Sequence, residues 1–206
     1  MKRVLQWGGI AAGLVLVVFG VVAIFMGVNG RSTVQSNLKQ EAVVGTPDMT
    51  PKGIAAEAKQ AHLPASIKLP TCTVANQAVT NGDQAHCFAG YMRIHTMEAT
   101  AGQTYSQMGR YATADGKGTN DPTKALQVNG QPQDNPARNI WVTETALTTA
   151  LNSAYMAEQL SDFAIVVGTA LLLTGVGFVI VALGGPLAIR FKVWRPEGTG
   201  SPVPAA

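Results

Sequence analysis

Residues 4–28 read VLQWGGIAAGLVLVVFGVVAIFMGV, and residues 163–189 read FAIVVGTALLLTGVGFVIVALGGPLAI. Neither stretch contains a charged residue. Each is longer than the roughly 20 apolar residues that an α-helix needs to cross the hydrocarbon core of a bilayer. The sequence therefore predicts two transmembrane helices, with residues 29–162 held on one side of the membrane.

The charges that flank these stretches predict the orientation. Residues 29–162 hold ten Lys/Arg and eleven Asp/Glu, so the positive charge of the chain lies at its ends. The flanking basic residues are Lys2, Arg3, Arg190, Lys192 and Arg195. Basic flanks stay in the cytoplasm, whereas long loops are translocated largely regardless of their charge. We therefore expect residues 1–3 and a disordered tail, residues 190–206, in the cytoplasm, and an extracytoplasmic domain at residues 29–162.

A cleavable signal peptide is the alternative interpretation of residues 4–28. Signal peptides have an apolar region of about 7–15 residues followed by an A-x-A-like cleavage site. The first stretch is longer than that and no such site follows it, which favours a membrane anchor.

The balanced charge of residues 29–162 also excludes nucleic acid as a partner, because nucleic-acid binding needs a basic face.

Small residues recur every seven positions in both predicted spans. They are Gly13, Gly20 and Gly27 in the first span, and Gly168, Gly175 and Ala182 in the second. Small residues let helix backbones approach closely in lipid, and a seven-residue period keeps one seam towards a partner helix. We expect the two spans to pair as an antiparallel hairpin.

The segment between the spans has mainly helical signals. Asn135-Pro136 is typical of a helix start, and the pattern that follows predicts one helix of roughly 45 residues, which forms a stalk and then the second span. Helices are also predicted at residues 51–62 and 87–99, with a turn at 81–83. The predicted fold is mainly α: a transmembrane hairpin, a long helical stalk and a small disulfide-tied domain.

Cys72 and Cys87 are the two cysteines of the chain, and both lie in the segment predicted to be exported. An oxidising compartment preserves a disulfide, and closing this loop stabilises a domain by roughly 3 kcal/mol. The competing interpretation is a metal site that adds His86 and His95. The disulfide is favoured, because adjacent His86 and Cys87 make an awkward chelate and C-x-x-C is absent.

A polar cluster on the helix at residues 87–99 is the candidate ligand-binding set. It comprises Tyr91, Arg93, His95 and Glu98. His95 and Glu98 stand three apart, so both side chains can face one ligand or transfer a proton. The simpler interpretation is that His95 lies at the edge of a core helix and bonds to Glu98. We predict no catalytic residue, since the motifs of nucleophilic catalysis are absent. We also predict no metal and no cofactor, since His95 and Glu98 would need two further ligands that the sequence does not place nearby.

Three aromatic residues are candidate anchors for a protein partner: Tyr105, Tyr111 and Trp141. Aromatic side chains dominate protein interfaces. The equally open interpretation is that these rings cap the small core of the domain.

The chain resembles a family of small two-span actinobacterial membrane proteins of unknown function. The resemblance lies in the stretch HTMEATAGQTY at residues 95–105 and in ALTTAL at residues 146–151, which leads into the second span. Some members carry the automatic label aromatic ring-opening dioxygenase. Non-haem iron oxygenases need a preformed set of His and carboxylate ligands, whereas three histidines are scattered through this segment. The resemblance implies a bacterial plasma-membrane protein with this topology and no activity.

These observations predict a non-enzymatic envelope protein. It is expected to present its extracytoplasmic domain to a membrane-protein partner or to further copies of itself, as an accessory subunit of a membrane complex, with the lipid bilayer around its spans. The alternative function is an extracytoplasmic sensor or a ligand- or metal-binding module.

Overall fold

The computed structural model describes residues 2–184, and most of these residues are helical. The helices are α1 (Lys2–Gln40), α2 (Pro51–Gln60), α3 (Gly82–Ala99) and α4 (Pro136–Gly184). Short 3-10 turns occupy Tyr105–Gln107 and Pro122–Lys124, and β1 (Gln127–Val128) pairs antiparallel with β2 (Gln131–Pro132). The mainly α prediction is confirmed. The predicted tail, residues 190–206, and the end of the second span, residues 185–189, lie outside the described residues.

The helix starts follow from their capping residues. The side chain of Thr50 accepts a hydrogen bond from the N–H of Gly53 at 3.0 Å, and Pro51 is the first residue of α2. At α3, Asn81 Oδ1 accepts a hydrogen bond from the N–H of Gln84 at 2.9 Å. Asparagine is among the best N-cap residues. The predicted turn at residues 81–83 is therefore wrong, and α3 begins five residues before the predicted start at Cys87.

Helix α4 begins as the sequence predicts. Asn135 Oδ1 accepts a hydrogen bond from the N–H of Ala137 at 3.1 Å, and Pro136 is the first helical residue. Proline suits this position, because its missing N–H would have no partner in the first turn. The helix then runs for 49 residues without a break, so the stalk and the second apolar stretch form one element.

The described chain divides into two compact units. The first consists of residues 2–21 and 169–184, and the second of residues 22–168. Within the first unit, α1 and α4 contact each other at Gly13 and Gly175. Two helices are long and apolar enough to cross a membrane, Arg3–Gln40 and Pro136–Leu183, and in the most apolar window of each only 11% of the residues are buried.

Three small hydrophobic clusters form the core of the second unit. One lies around α2 and α3 and contains Ile54 and Tyr91, both with no exposed surface. A second joins Leu38 of α1 to α3 and α4, and a third surrounds Trp141. The predicted disulfide is confirmed, since Cys72 and Cys87 are bonded and close a loop with a sequence separation of 15. The bond links the loop that joins α2 to α3 with the first half of α3.

Candidate functional site

Three titratable side chains from separate parts of the second unit meet beside α3. His95 lies on α3, Glu57 lies on α2, and Asp48 lies in the turn that leads into α2. The packing of α2 on α3 brings them together, because Ile54 on α2 and Ile94 on α3 belong to the same buried cluster. Glu57 follows Ile54 by three positions, so it shares the face of α2 that meets α3.

The imidazole of His95 lies between the two carboxylates. His95 Nε2 lies 3.1 Å from Asp48 Oδ2, and His95 Nδ1 lies 3.7 Å from Glu57 Oε2. Asp48 Oδ2, Glu57 Oε2 and His95 Nε2 are all inaccessible to solvent, and none has a hydrogen-bond partner among the described residues. The side chains as a whole are about one-quarter to one-third exposed. The cluster therefore sits at the surface with its donor atoms directed inward.

The pKa values of the two carboxyl groups are shifted in opposite directions. Burial raises the pKa of Glu57, and the charges of Asp48 and Glu98 raise it further against the attraction of His95. Burial acts in the same direction on Asp48, but hydrogen bonds from Thr46 and from its own backbone, with the nearby His95, leave the pKa of Asp48 lowered. Asp48 is thus the more strongly acidic of the two groups.

Of the four residues predicted to line a ligand pocket, the structure brings two to one cavity. His95 and Glu98 border an open cavity of about 570 Å³ that also contains Asp48 and Glu57. Tyr91 is fully buried, and its hydroxyl donates a hydrogen bond to the Cys72 carbonyl at 2.6 Å.

Arg93 lies apart from this cavity and stacks its guanidinium over the Trp141 ring at 5.3 Å. Tyr91 and Arg93 thus lie on other faces of α3, and the structure does not bring them to the cavity that His95 and Glu98 border. The bond expected between His95 and Glu98 is replaced by contacts of His95 with Asp48 and Glu57.

The predicted partner-binding aromatics fall into different environments. Trp141 is 4% exposed, and its indole N–H is shared between the Gln103 carbonyl at 2.8 Å and Thr100 Oγ1 at 3.2 Å. It is a core residue and not a surface anchor. Tyr105 is 44% exposed, with the Arg138 guanidinium 4.1 Å from its ring centre. Tyr111 is half-buried and pairs its backbone with Thr119.

The small residues predicted to pack helices are buried, with one exception. Gly13, Gly20, Gly27, Gly168 and Gly175 are buried, and Ala182 is half-buried. In the first unit, a Cβ added at Gly13 would lie 2.7 Å from the Gly175 carbonyl oxygen. In the second unit, a Cβ at Gly27 would lie 2.6 Å from the Ser161 carbonyl oxygen. The α1 and α4 backbones thus approach as closely as glycine allows in each unit.

One face of α4 in the second unit is exposed although it carries apolar and small residues. Its members recur at intervals of three and four: Val142, Ala146, Thr149, Ser153, Met156, Leu160 and Phe163. Met156 and Leu160 are 70% and 67% exposed. We call this set the α4 stripe. Its spacing is that of a helix surface that packs against another helix.

No family model, curated protein or solved structure matches this chain.

Proposed function

We propose that this chain is a two-pass plasma-membrane protein that presents residues 29–162 outside the cytoplasm to a partner membrane protein, without catalysis. The outward-facing apolar side chains of α1 and α4 support a lipid environment. The basic flanks support cytoplasmic termini. The Cys72–Cys87 disulfide supports an oxidising compartment for the intervening domain. Membership of the actinobacterial two-span family remains part of this proposal.

The α4 stripe is the main evidence that the protein binds a partner. Met156 and Leu160 precede the apolar stretch that begins at Phe163, so in the proposed topology they stand in water just outside the lipid. Apolar patches of this kind on a protein surface mark sites of interaction. Ala146, Thr149 and Ser153 add small side chains along the same line, which allows a second helix to approach closely. The occupant that fits is a helix of a partner membrane protein.

Affinity purification of the full-length protein in mild detergent tests the partner. We expect a stoichiometric protein to co-purify with the wild type and to be lost from Leu160→Glu. Gln159→Glu is the matched control, because it adds the same charge one residue away and about 100° around the helix. A self-association that Leu160→Glu abolishes would identify a second copy as the occupant. A monomer that carries no partner would refute the proposed presentation.

Lysine labelling on intact cells tests the topology separately. Six lysines of the domain are exposed in the structure: Lys39, Lys52, Lys59, Lys68, Lys117 and Lys124. A membrane-impermeant amine reagent should modify them on intact cells, whereas Lys2 and Lys192 should react only after the cells are permeabilised. Mass spectrometry of the peptides reads both sets in one sample. Protection of the six domain lysines on intact cells would contradict the proposed orientation.

A further inference from the structure

The cluster of Asp48, Glu57 and His95 has a composition and geometry that the proposed membrane role leaves unexplained. One donor atom from each residue lies within 4.8 Å of the donors of the other two. We infer that these three side chains bind a divalent transition-metal ion on the extracytoplasmic domain. This inference goes beyond the proposed function and corresponds to the alternative predicted from the sequence, a metal-binding module.

The unpartnered donor atoms are the first reason. Buried polar atoms in native proteins almost always have a hydrogen-bond partner, and each exception requires an explanation. Here three exceptions coincide, and all of them are atoms that can ligate a metal: Asp48 Oδ2, Glu57 Oε2 and His95 Nε2. Nε2 and Asp48 Oδ2 are 3.1 Å apart, yet their arrangement does not make a hydrogen bond. A cation between the three atoms satisfies all of them at once.

The charge of the cluster is the second reason. Two carboxylates and one imidazole carry a net negative charge whether or not the ring is protonated, and the exposed Glu98 adds another at the rim of the cavity. The other residues that border the cavity, Thr46, Met49, Phe88 and Met92, are uncharged. A divalent ion neutralises the two carboxylates, which an imidazolium alone does not.

The donor types select the class of metal. Imidazole favours zinc and its neighbours among the transition metals, whereas calcium and magnesium prefer sites made entirely of oxygen. In a tetrahedral zinc site with bonds of about 2.0–2.2 Å, the donor atoms lie about 3.3–3.6 Å apart. His95 Nε2 and Asp48 Oδ2, at 3.1 Å, are close to that range, and one donor of each residue lies within 4.8 Å of the others, so side-chain rotations that bring Glu57 nearer complete the site. Three protein ligands leave a coordination position open towards the cavity.

The proposed ion would join elements that are distant in the sequence. Asp48 precedes α2, Glu57 lies within it, and His95 lies on α3 near its end. The Cys72–Cys87 disulfide fastens the connection between α2 and α3 at the opposite end of the same helix pair. Metal binding would therefore hold α2 on α3 where the disulfide does not reach, and it should raise the thermal stability of the domain.

Metal titration of the purified full-length protein in detergent tests the inference. After chelator treatment and its removal, we expect Zn²⁺ to bind with a stoichiometry of one ion per chain by isothermal titration calorimetry. Co²⁺ should give visible d–d absorption bands that Zn²⁺ abolishes. His95→Ala and Asp48→Asn should each weaken Zn²⁺ binding by 10-fold to 100-fold or more. Loss of a residue that only hydrogen-bonds to a metal ligand already lowers the affinity that much, and loss of a ligand should lower it at least as far.

Two variants serve as matched controls. His86→Ala removes another histidine of the domain, and Asp83→Asn removes an aspartate that lies on α3 outside the cluster, and both should bind Zn²⁺ as the wild type does. Asp48→Asn keeps the shape of the side chain, so a loss of binding with unchanged circular dichroism reports the ligand and not the fold. The inference is overturned if the wild type shows no saturable binding, or if His95→Ala and Asp48→Asn bind Zn²⁺ as tightly as the wild type. Neither result affects the topology, which the lysine labelling reads independently.

Discussion

Replacement of Glu158 by alanine should remove the contact that ties three helices of the second unit together. The Glu158 carboxylate on α4 is 7% exposed and accepts hydrogen bonds from Gln35 Nε2 of α1 at 2.9 Å and from the N–H of Gly82, the first residue of α3. Arg31 Nε of α1 lies 3.2 Å away. One buried charge thus satisfies donors from α1 and α3.

The cost follows from the groups that Glu158→Ala leaves behind. Hydrogen bonds to a charged group contribute roughly 1.5–3 kcal/mol each, and breaking a buried ion pair costs about 3–5 kcal/mol. Arg31 is half-exposed and still pairs with Asp162 at 3.0 Å after the substitution. Its guanidinium therefore keeps a partner and water, and the lower end of the 3–5 kcal/mol range applies. We expect a loss of about 3 kcal/mol. For a chain of this size that corresponds to a fall in Tm of roughly 6–12 °C.

Thermal unfolding of the full-length protein in detergent, followed by near-UV circular dichroism, measures this loss. Asp162→Asn is the control, because it removes the exposed partner of Arg31 and should cost no more than about 1 kcal/mol. Glu158→Gln should fall between the two variants, since its amide oxygen still accepts a bond from Gly82. If Glu158→Ala unfolds at the same temperature as Asp162→Asn, the buried carboxylate does not hold the helices as described.

Three further perturbations have outcomes that the structure specifies. Replacing Cys72 and Cys87 together by serine should lower the stability of the domain by roughly 3 kcal/mol, and equal stability of the reduced and oxidised wild type would contradict this. Burial, and after it the charge of Asp48, raise the pKa of Tyr91 in the folded protein. The free energy of unfolding should therefore be constant below about pH 10, the pKa of an unfolded tyrosine. It should fall as the pH rises through the raised pKa of Tyr91. Tyr91→Phe should flatten that decline and cost about 1 kcal/mol at neutral pH through the lost bond to the Cys72 carbonyl; a parallel decline in the variant would exclude Tyr91 as its cause. Gly175→Ala should lower the Tm, because its Cβ would lie 2.6 Å from the Gly13 carbonyl oxygen, whereas Gly177→Ala has open space and should not; equal melting would show that the seam tolerates a methyl group.

Local chemistry explains what could be predicted for the helices. Asn135-Pro136 specifies a helix start through one side-chain bond and one missing donor, and α4 begins there. Asn81 carried an equally local signal, but a turn and an N-cap share that residue type. In the structure the Glu158 carboxylate, 76 residues beyond Gly82, also accepts the N–H of Gly82, so a contact distant in the sequence supports this helix start.

The candidate site shows where such prediction ends. The residue type of His95 marks it as a candidate, and the helical spacing predicts Glu98 as its neighbour, because a helix places residues three apart on one side. Asp48 and Glu57 have no sequence spacing that links them to His95. A partial signal existed for Glu57, because a carboxylate three residues after Ile54 lies on the apolar face of α2. Nothing local indicated Asp48.

Residue types and their spacing are enough to predict the two apolar helices, the seven-residue recurrence of small residues and the pairing of the chain's two cysteines. Each of these rests on length, periodicity or residue count, which need no knowledge of the path between elements. Three outcomes follow only from the packing of distant segments: Trp141 is buried, Arg93 stacks on Trp141 away from His95, and Asp48 and Glu57 lie beside His95. Those outcomes depend on how α2 and the loops around it pack on α3, and side chains far apart in the chain meet only once that packing has formed.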